Sequence, residues 1–268
     1  MVFQAAASIG VLLQQLGGAI MNLDNNMPEI YSRQIMMKEV GEEGQQKLAN
    51  SSVLVIGCGG LGAPALYYLT AMGVGRLGLC DHDVVSLSNL NRQLLFTGED
   101  LGKPKAPAAK KRLLALNPKC EITVYDRLFD MGLAQEIIPE YDVIVDCLDN
   151  FHTRFILNDA CLEACKPFVH AGIGEFCGQL MTVTPGKGPC LRCLFPGGVK
   201  KSDPEKPFGV VGPTPGVLGS MQALEAMKYL LGLPVCNDGL VIYDGLNLSL
   251  EKVSLSVNPE CVCNTVPV

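Results

Sequence analysis

Three glycines, Gly57, Gly59 and Gly62, follow the apolar run VLVI in G-x-G-x-x-G spacing. Glycine lets the backbone turn sharply and approach a phosphate, and a helix that begins there offers free N–H donors. Asp81 closes the next apolar run, nineteen positions after Gly62, where its carboxylate could accept hydrogen bonds from ribose hydroxyls. These residues predict an adenine nucleotide site, and a tight turn is the alternative for the glycines. Asp83 suits either a ligand contact or a turn.

Polar and basic side chains are concentrated just downstream, in NLNRQ and GKPKA. A transferred phosphoryl or nucleotidyl group needs cations to neutralise its developing charge, whereas hydride transfer rarely does. The cluster therefore favours transfer chemistry. Its candidate ligand contacts are Asn89, Arg92, Gln93, Lys103 and Lys105. A solvated basic helix is the alternative for Lys103 and our interpretation of Lys110, Lys111 and Arg112.

Two cysteine pairs predict a metal site in the second half of the chain. Cys190 and Cys193 form C-x-x-C, and Cys261 and Cys263 form C-x-C near the C-terminus. Four thiolates on two tight turns suit a tetrahedral structural Zn²⁺, and a reduced pair of partly buried thiols is the alternative. Twelve cysteines without a recognisable signal peptide indicate a reducing, cytoplasmic location.

The composition limits the class of partner. The chain of 268 residues has a net charge of -6 and a pI near 5.1, so we expect no nucleic acid partner. Its macromolecular partner should be a protein. The apolar segment 2–20 contains Gln4, Gln14 and Gln15, which argue against a membrane span. We interpret residues 1–27 as an amphipathic or frayed N-terminal extension.

Apolar runs alternate with helical patterns from residue 28 onwards, which predicts right-handed βαβ units and a doubly wound, Rossmann-like, mostly parallel sheet. The predicted helices span 28–48, 60–72, 105–116 and 151–165, and the predicted strands begin at Val53, Arg76, Glu121, Asp142 and Pro167. After about residue 178 the pattern favours an antiparallel extension with a helix at 217–231. Residues 196–215 read as a long crossing loop because they are rich in glycine and proline.

Several of these motifs occur in an order that resembles the ThiF/MoeB/HesA family of ubiquitin-activating-enzyme-like proteins. They are YSRQI, GCGGLG, NLNRQ, GKPKA, VDCLDN followed by TR, PCLRC and the late cysteine pair. The resemblance covers about residues 28–264, although that family usually has C-x-x-C in its second pair. It implies one adenylation domain, residues 28–268, that uses ATP and Mg²⁺ to adenylate a ubiquitin-like sulfur-carrier protein ending in Gly-Gly.

The resemblance also implies roles for individual residues. The glycine loop, including Gly60, would hold ATP, with Arg92 and Lys105 on its phosphates. Arg33 of YSRQI would reach the site from the other subunit of a homodimer, and Asp149 would hold Mg²⁺. For Asp149 the alternative is an N-cap on the following helix. Asp146, within the preceding strand, reads as a structural hydrogen-bond acceptor.

Adenylation of this kind requires no protein nucleophile, because the carrier's own carboxylate attacks the α-phosphate. One branch of the family links a loop cysteine to the carrier, but no cysteine lies between Cys193 and Cys236 here. We therefore predict no obligatory covalent link and interpret Cys177 as a packing residue, with a link to the carrier as its alternative. A separate sulfurtransferase or cysteine desulfurase would supply the sulfur. An NAD-dependent oxidoreductase and an inactive nucleotide-binding scaffold are the competing hypotheses, and the carrier's pathway (thiamin, molybdopterin or another) stays open.

Overall fold

The computed structural model describes residues 27–198 and 209–265. Contacts divide the chain into two units, residues 1–45 and residues 46–268. The predicted N-terminal extension lies outside the described residues except for its last one. Among the helices described, none is both long and apolar enough to cross a membrane.

The helical pattern at 28–48 forms three helices and not one. They are α1 (Met27–Ile30), α2 (Ser32–Ile35) and α3 (Gly41–Ala49). The prediction of a continuous helix is therefore wrong. Gly41 has a φ of 58°, which interrupts a right-handed helix and which glycine adopts without the steric cost of a Cβ.

One eight-stranded sheet forms the centre of the second unit, in the order β3-β2-β1-β4-β5-β6-β7-β8. Its first five strands in this order are parallel, and the last three add on in antiparallel fashion. The strands are β1 (Ser52–Ile56), β2 (Arg76–Cys80), β3 (Glu121–Tyr125), β4 (Val143–Asp146), β5 (Phe168–Gly174), β6 (Cys177–Val183), β7 (Gly239–Asp244) and β8 (Ser249–Ser254). The predicted mostly parallel sheet with an antiparallel extension is confirmed.

Helices cover both faces of this sheet, because alternate side chains of β1 point to opposite sides. Val53 and Val55 pack in one core with α4 (Gly62–Ala71), α5 (Lys105–Leu116) and α9 (Pro213–Leu231). Leu54 and Ile56 pack in another with α6 (Met131–Ile137) and α7 (Phe151–Glu163). The short α8 (Leu191–Leu194) joins this second core. A strand buried on both faces explains why β1 reads as a continuous apolar run.

Helix α9 begins earlier than the sequence pattern predicts. Pro213 and Pro215 lie in its first turn, so the predicted crossing loop ends at Gly212, three residues before Pro215. Proline is tolerated there because the first N–H groups of a helix have no intrahelical acceptor. The centre of the predicted loop, residues 199–208, lies outside the described residues.

Candidate functional site

The glycine loop connects β1 to α4 at the carboxyl edge of the parallel strands. Gly57 has a φ of 97°, and a Cβ on it would lie 2.6 Å from the carbonyl oxygen of Cys147. A Cβ on Gly62 would lie 2.0 Å from the carbonyl oxygen of Gly57. Both positions exclude any side chain because such distances are far inside van der Waals contact. The loop therefore presents bare backbone at the edge where open α/β sheets bind ligands.

Asp81 directly follows β2 and is hydrogen-bonded to the glycine loop. Its Oδ2 accepts the backbone N–H of Cys58 at 2.7 Å, and its Oδ1 accepts that of Asp83 at 2.9 Å. Burial raises the pKa of Asp81, although these two backbone bonds and Lys105 oppose the shift. Each carboxylate oxygen keeps a further acceptor position, which a ribose hydroxyl could occupy.

Lys105 is the first residue of α5, and its side chain is only 7% exposed. Its Nζ lies 2.8 Å from Oδ2 of Asp83, and its backbone N–H donates to the carbonyl oxygen of Asp83 at 2.8 Å. The structure thus brings Asp81, Asp83 and Lys105 together beside the glycine loop. Lys103 is exposed and lies 3.9 Å from Asp100, as the solvated alternative predicts.

The basic face of α5 differs from our prediction at one residue. Lys110 donates from Nζ to the carbonyl oxygen of Ile122 at 2.7 Å, so it anchors the helix to β3. The interpretation of Lys110 as a solvated residue is therefore wrong. Arg112 approaches Asp100 at 3.8 Å, and Lys111 is exposed as expected.

Arg92 and Gln93 lie against two of the glycines. The Cγ of Arg92 lies 3.7 Å from where a Cβ on Gly60 would be, and its Nη1 donates to the carbonyl oxygen of Ser88 at 2.8 Å. Gln93 is 6% exposed, and its Nε2 lies 3.3 Å from the corresponding position on Gly59. Among the residues that the structure describes, its Oε1 has no hydrogen-bond partner. A buried amide oxygen without a partner suits a position next to a bound polar ligand.

Asn89 has a local structural role. Its Oδ1 accepts the backbone N–H of Ser86 at 3.1 Å and so closes the 3₁₀ turn Leu87–Asn89. The backbone N–H groups of Arg92 and Gln93 donate to the carbonyl oxygen of Asn89 at 3.1 Å and 2.9 Å. Asn89 therefore positions Arg92 and Gln93. Its Nδ2 takes no part in these bonds and can donate to a ligand.

Asp149 is exposed in the loop between β4 and α7. The N-cap of α7 is Asn150, whose Oδ1 accepts the backbone N–H of Thr153 at 2.9 Å. The alternative role of Asp149 as that N-cap is therefore wrong. The Asp149 carboxylate accepts a hydrogen bond from Nδ2 of Asn150 at 3.2 Å and can still act as a ligand to a cation.

A buried network of Asp146, Arg154 and His170 holds the backbone of Leu148, the residue before Asp149. Asp146 accepts the backbone N–H of Leu148 at 3.1 Å, and Nη2 of Arg154 donates to the carbonyl oxygen of Leu148 at 2.6 Å. His170 places Nδ1 2.7 Å from Asp146, which confirms the structural role predicted for that aspartate. Arg154 is the arginine of the TR motif, but the sequence did not predict that its side chain would be buried against backbone oxygens.

Helix α9 packs on the glycine loop from the other side. Pro215 lies 3.3 Å from where a Cβ on Gly60 would be. Gln222 donates from Nε2 to the carbonyl oxygens of Asp146 at 2.7 Å and Val169 at 3.1 Å. Neither residue was predicted. Their contacts depend on how the chain returns after residues 199–208, which no local pattern specifies.

The four predicted metal ligands form one cluster. The Sγ atoms of Cys190 and Cys261 lie 3.6 Å apart, those of Cys193 and Cys263 3.4 Å apart, and all four lie within 4.8 Å of one another. Four sulfurs that surround a Zn²⁺ at 2.3 Å would be separated by about 3.8 Å. Burial raises the pKa of Cys190 to about 12, whereas backbone hydrogen bonds lower the pKa of Cys193 despite its burial. A bound cation would favour the thiolate form of these ligands.

Two further predicted residues are exposed. Arg33 is exposed on α2, in the first of the two units. Cys177 opens β6 and is exposed, so the interpretation of Cys177 as a packing residue is wrong. It pairs with Gly174 in the β5–β6 hairpin.

The sheet order, the glycine loop and the acid that follows β2 define a doubly wound α/β protein with a nucleotide-type site. A family model described as the ThiF family matches residues 31–264. The chain belongs to the ThiF family.

Two relatives and one solved structure agree with this assignment. The sulfur carrier protein adenylyltransferase of Thermus thermophilus is 45% identical over 249 residues, which cover 88% of this chain and 91% of that protein. The SAMP-activating enzyme E1 of Haloferax volcanii is 44% identical over 247 residues, which cover 91% of each. E. coli MccB with MccA-N7isoASN is 23% identical, with a TM-score of 0.77 over 88% of this chain and 74% of that one. At this identity, the similarity to MccB supports the fold of this chain and nothing about its function.

Proposed function

We propose that this chain is an adenylyltransferase that uses ATP to activate the C-terminal glycine carboxylate of a ubiquitin-like sulfur-carrier protein. The observation that carries the proposal is the grouping of Asp81, Lys105 and Arg92 around the glycine loop. The printed names of the two relatives, at 44–45% identity, support this activity and this class of substrate.

The reaction joins two substrates without a covalent enzyme intermediate. A carboxylate oxygen of the carrier attacks the α-phosphorus of ATP, the bond to the bridging oxygen of the β-phosphate breaks, and pyrophosphate leaves. Arg92 and Lys105 would stabilise the negative charge that develops on the phosphate oxygens. Asp81 would hold the ribose, and Gln93 would supply the buried amide oxygen that lacks a partner in the described chain.

Asp149 is our proposed Mg²⁺ ligand. Its exposed carboxylate follows β4 at the same sheet edge as the glycine loop, and the segment before it contacts Gly57 through the carbonyl oxygen of Cys147. Mg²⁺ would neutralise phosphate charge there. Asp146 and Arg154 would hold that carboxylate in place, because both are hydrogen-bonded to the backbone of Leu148, the residue before it.

Four residues, Cys190, Cys193, Cys261 and Cys263, are our proposed Zn²⁺ ligands. The separations of their sulfurs suit a tetrathiolate site. A backbone N–H, that of Asn258, approaches Sγ of Cys193 at 3.4 Å and would stabilise a thiolate there. The metal would be structural, because it would tie residues near the C-terminus to α8.

We propose a homodimer in which Arg33 contacts the phosphates bound by the partner, a single adenylation domain at residues 28–268, and a cytoplasmic location. Sulfur would come from a separate sulfurtransferase or cysteine desulfurase.

Pyrophosphate exchange tests the activity. The purified chain, given a candidate carrier that ends in Gly-Gly, should exchange labelled pyrophosphate into ATP and yield an acyl-adenylate mass on the carrier. A carrier that lacks its last glycine is the matched control and should support neither. Turnover that depends on a nicotinamide nucleotide, without exchange, would contradict the proposal. Exchange that survives both Arg92→Ala and Lys105→Ala would contradict the site.

A further inference from the structure

Arg154 and Gln179 bring a guanidinium and an amide together next to the loop that carries Asp149. Arg154 is the arginine of the TR motif and lies on α7, and Gln179 lies on β6. Both face Gly172 of β5, because a Cβ on that glycine would lie 3.4 Å from Nε2 of Gln179 and 3.5 Å from Nη1 of Arg154. The missing side chain of Gly172 therefore leaves room between the two polar groups.

The guanidinium of Arg154 is only partly used by the protein. Its Nη2 donates to the carbonyl oxygens of Leu148 at 2.6 Å and Ala171 at 3.0 Å. The residue is 5% exposed, yet its Nη1 is accessible and makes no hydrogen bond within residues 27–198 and 209–265. A buried arginine with an unpaired donor is costly unless a ligand or water accepts from it. Nη1 is thus available to a carbonyl or carboxylate oxygen.

A chain of hydrogen bonds orients the amide of Gln179. Burial lowers the pKa of His170, so its ring is neutral at neutral pH and carries one N–H. The carboxylate of Asp146 can only accept, so His170 donates to it from Nδ1 at 2.7 Å. His170 then accepts at Nε2 from Nε2 of Gln179 at 3.2 Å. This arrangement directs Oε1 of Gln179 away from the histidine, and no residue that the structure describes donates to it.

An accessible donor beside an accessible acceptor matches one residue of an extended peptide. In an extended chain the N–H and C=O of a single residue point to the same side, as they do in a hydrogen-bonded strand pair. The sheet order also suits a peptide that approaches ATP. Asp81, our proposed ribose ligand, follows β2 on one side of β1, whereas β4, β5 and β6 lie on the other side. A peptide over β5 and β6 would therefore reach the glycine loop from the side opposite the ribose.

We propose that Gln179 and Arg154 bind the backbone of the penultimate glycine of the carrier tail, an inference that rests on the proposed function. Oε1 of Gln179 would accept the N–H of that glycine, and Nη1 of Arg154 would donate to its C=O. Glycine suits this position because a residue without a side chain can approach Gly172 closely. The two contacts would orient the terminal carboxylate towards the α-phosphate.

A carrier whose penultimate glycine is N-methylated tests the contact with Gln179. Methylation removes the N–H and leaves the terminal carboxylate unchanged. In pyrophosphate exchange by the wild type, the methylated tail should raise the KM for the carrier about tenfold and leave the KM for ATP unchanged. Gln179→Leu should raise the carrier KM by a similar factor, with no further rise for the methylated tail. Gln135→Leu, which changes an exposed glutamine on α6, is the matched control and should respond as the wild type does.

Arg154→Lys tests the other contact. One ammonium group cannot replace both Nη1 and Nη2, so this variant should raise both the carrier KM and the Mg²⁺ requirement, whereas Gln179→Leu should raise the carrier KM alone. An unchanged carrier KM in Arg154→Lys would contradict the role of the arginine.

The outcomes separate this inference from the proposed function. If the wild type catalyses exchange but Gln179→Leu keeps the wild-type carrier KM, or loses as much as the wild type on methylation of the tail, the inference alone is wrong. If the wild type catalyses no exchange with the unmodified carrier, the proposed function is wrong and the inference fails with it.

Discussion

Two aspartates that leave the same strand have opposite surroundings. Asp146 is fully buried against His170 and Arg154, whereas Asp149, three residues later, is exposed. A buried carboxylate with such partners is committed to structure, while an exposed one at the sheet edge is free to bind a cation. The division of roles follows from the environment of each residue and not from its type.

Asp149→Asn should reduce the use of Mg²⁺ and leave folding unaffected. The amide keeps the shape but loses the charge that binds the cation, so we expect half-saturation of pyrophosphate exchange to need about tenfold more Mg²⁺, or more. A Mg²⁺ titration of the exchange rate measures this. Asp126→Asn changes another exposed aspartate that follows a strand and is the matched control. An unchanged Mg²⁺ requirement in Asp149→Asn would contradict the assignment.

His170 should make stability depend on pH. Burial lowers its pKa below the ordinary 6.5, although the bond to Asp146 opposes the shift. The unfolded chain therefore binds this proton more readily, so stability is full above pH 6.5 and falls as the pH drops towards the lowered pKa. The fall is limited to about 1.4 kcal/mol per pH unit for one proton.

Urea unfolding at about pH 7.5 and about pH 5.5 measures that contribution. The wild type should lose more stability between the two pH values than His170→Asn does. His152→Asn, which removes an exposed histidine, should behave as the wild type. Equal losses in the wild type and His170→Asn would show that other groups cause the acid sensitivity.

At the scale of elements, the glycine loop is determined by steric exclusion. Gly62→Ala should destabilise the protein by at least about 2 kcal/mol, because its Cβ would overlap the carbonyl oxygen of Gly57. Gly216→Ala is the matched control in α9, where a Cβ meets nothing within 4 Å. It should stabilise the protein by about 0.5–1 kcal/mol. Denaturant unfolding of both variants measures the difference, and equal effects would mean that the loop relaxes around the methyl group.

The elements differ in how well local sequence predicts them. The strands β1, β2 and β4 were predicted from apolar runs because burial on both faces removes polar residues from them. The edge strand β3 has one buried residue, Ile122, and was predicted from its β-formers and its place in the alternating pattern. Helix α6 was missed because Met131–Ile137 is only seven residues long, although Asp130 caps it by accepting the N–H of Leu133 at 2.8 Å. The early start of α9 was missed because prolines in a first helical turn resemble those of a loop.

The residues of the candidate site were also only partly predictable from local sequence. Residues carried by motifs, such as Asp81 and Lys105, were predicted and do meet beside the loop. Gln222 was missed, and the buried position of Arg154 was not predicted from its TR motif. Both donate to backbone carbonyl oxygens of distant residues, and such contacts carry no sequence signal. Motifs identify the groups that face a ligand, whereas the contacts that hold those groups depend on the packed tertiary structure.

For the whole molecule, the cysteine cluster should provide a cross-link through a metal. We expect one Zn²⁺ per chain by elemental analysis, lost in Cys190→Ser together with a large drop in melting temperature. Cys165→Ser changes an exposed cysteine outside the cluster and should retain both. A metal-free wild type whose melting temperature is unaffected by a chelator would instead support a set of reduced, buried thiols.

The proposed dimer predicts that two inactive subunits can restore activity to each other. Mixed and reassembled Arg33→Ala and Arg92→Ala subunits should regain about a quarter of wild-type pyrophosphate exchange. Half of the dimers would be mixed, and one of their two sites would combine an intact Arg92 with the partner's intact arginine. Arg92→Ala mixed with Lys105→Ala is the control and should stay inactive, because both residues belong to the same subunit's site. If the first mixture also stays inactive although mixed dimers form, Arg33 does not act across the subunit interface.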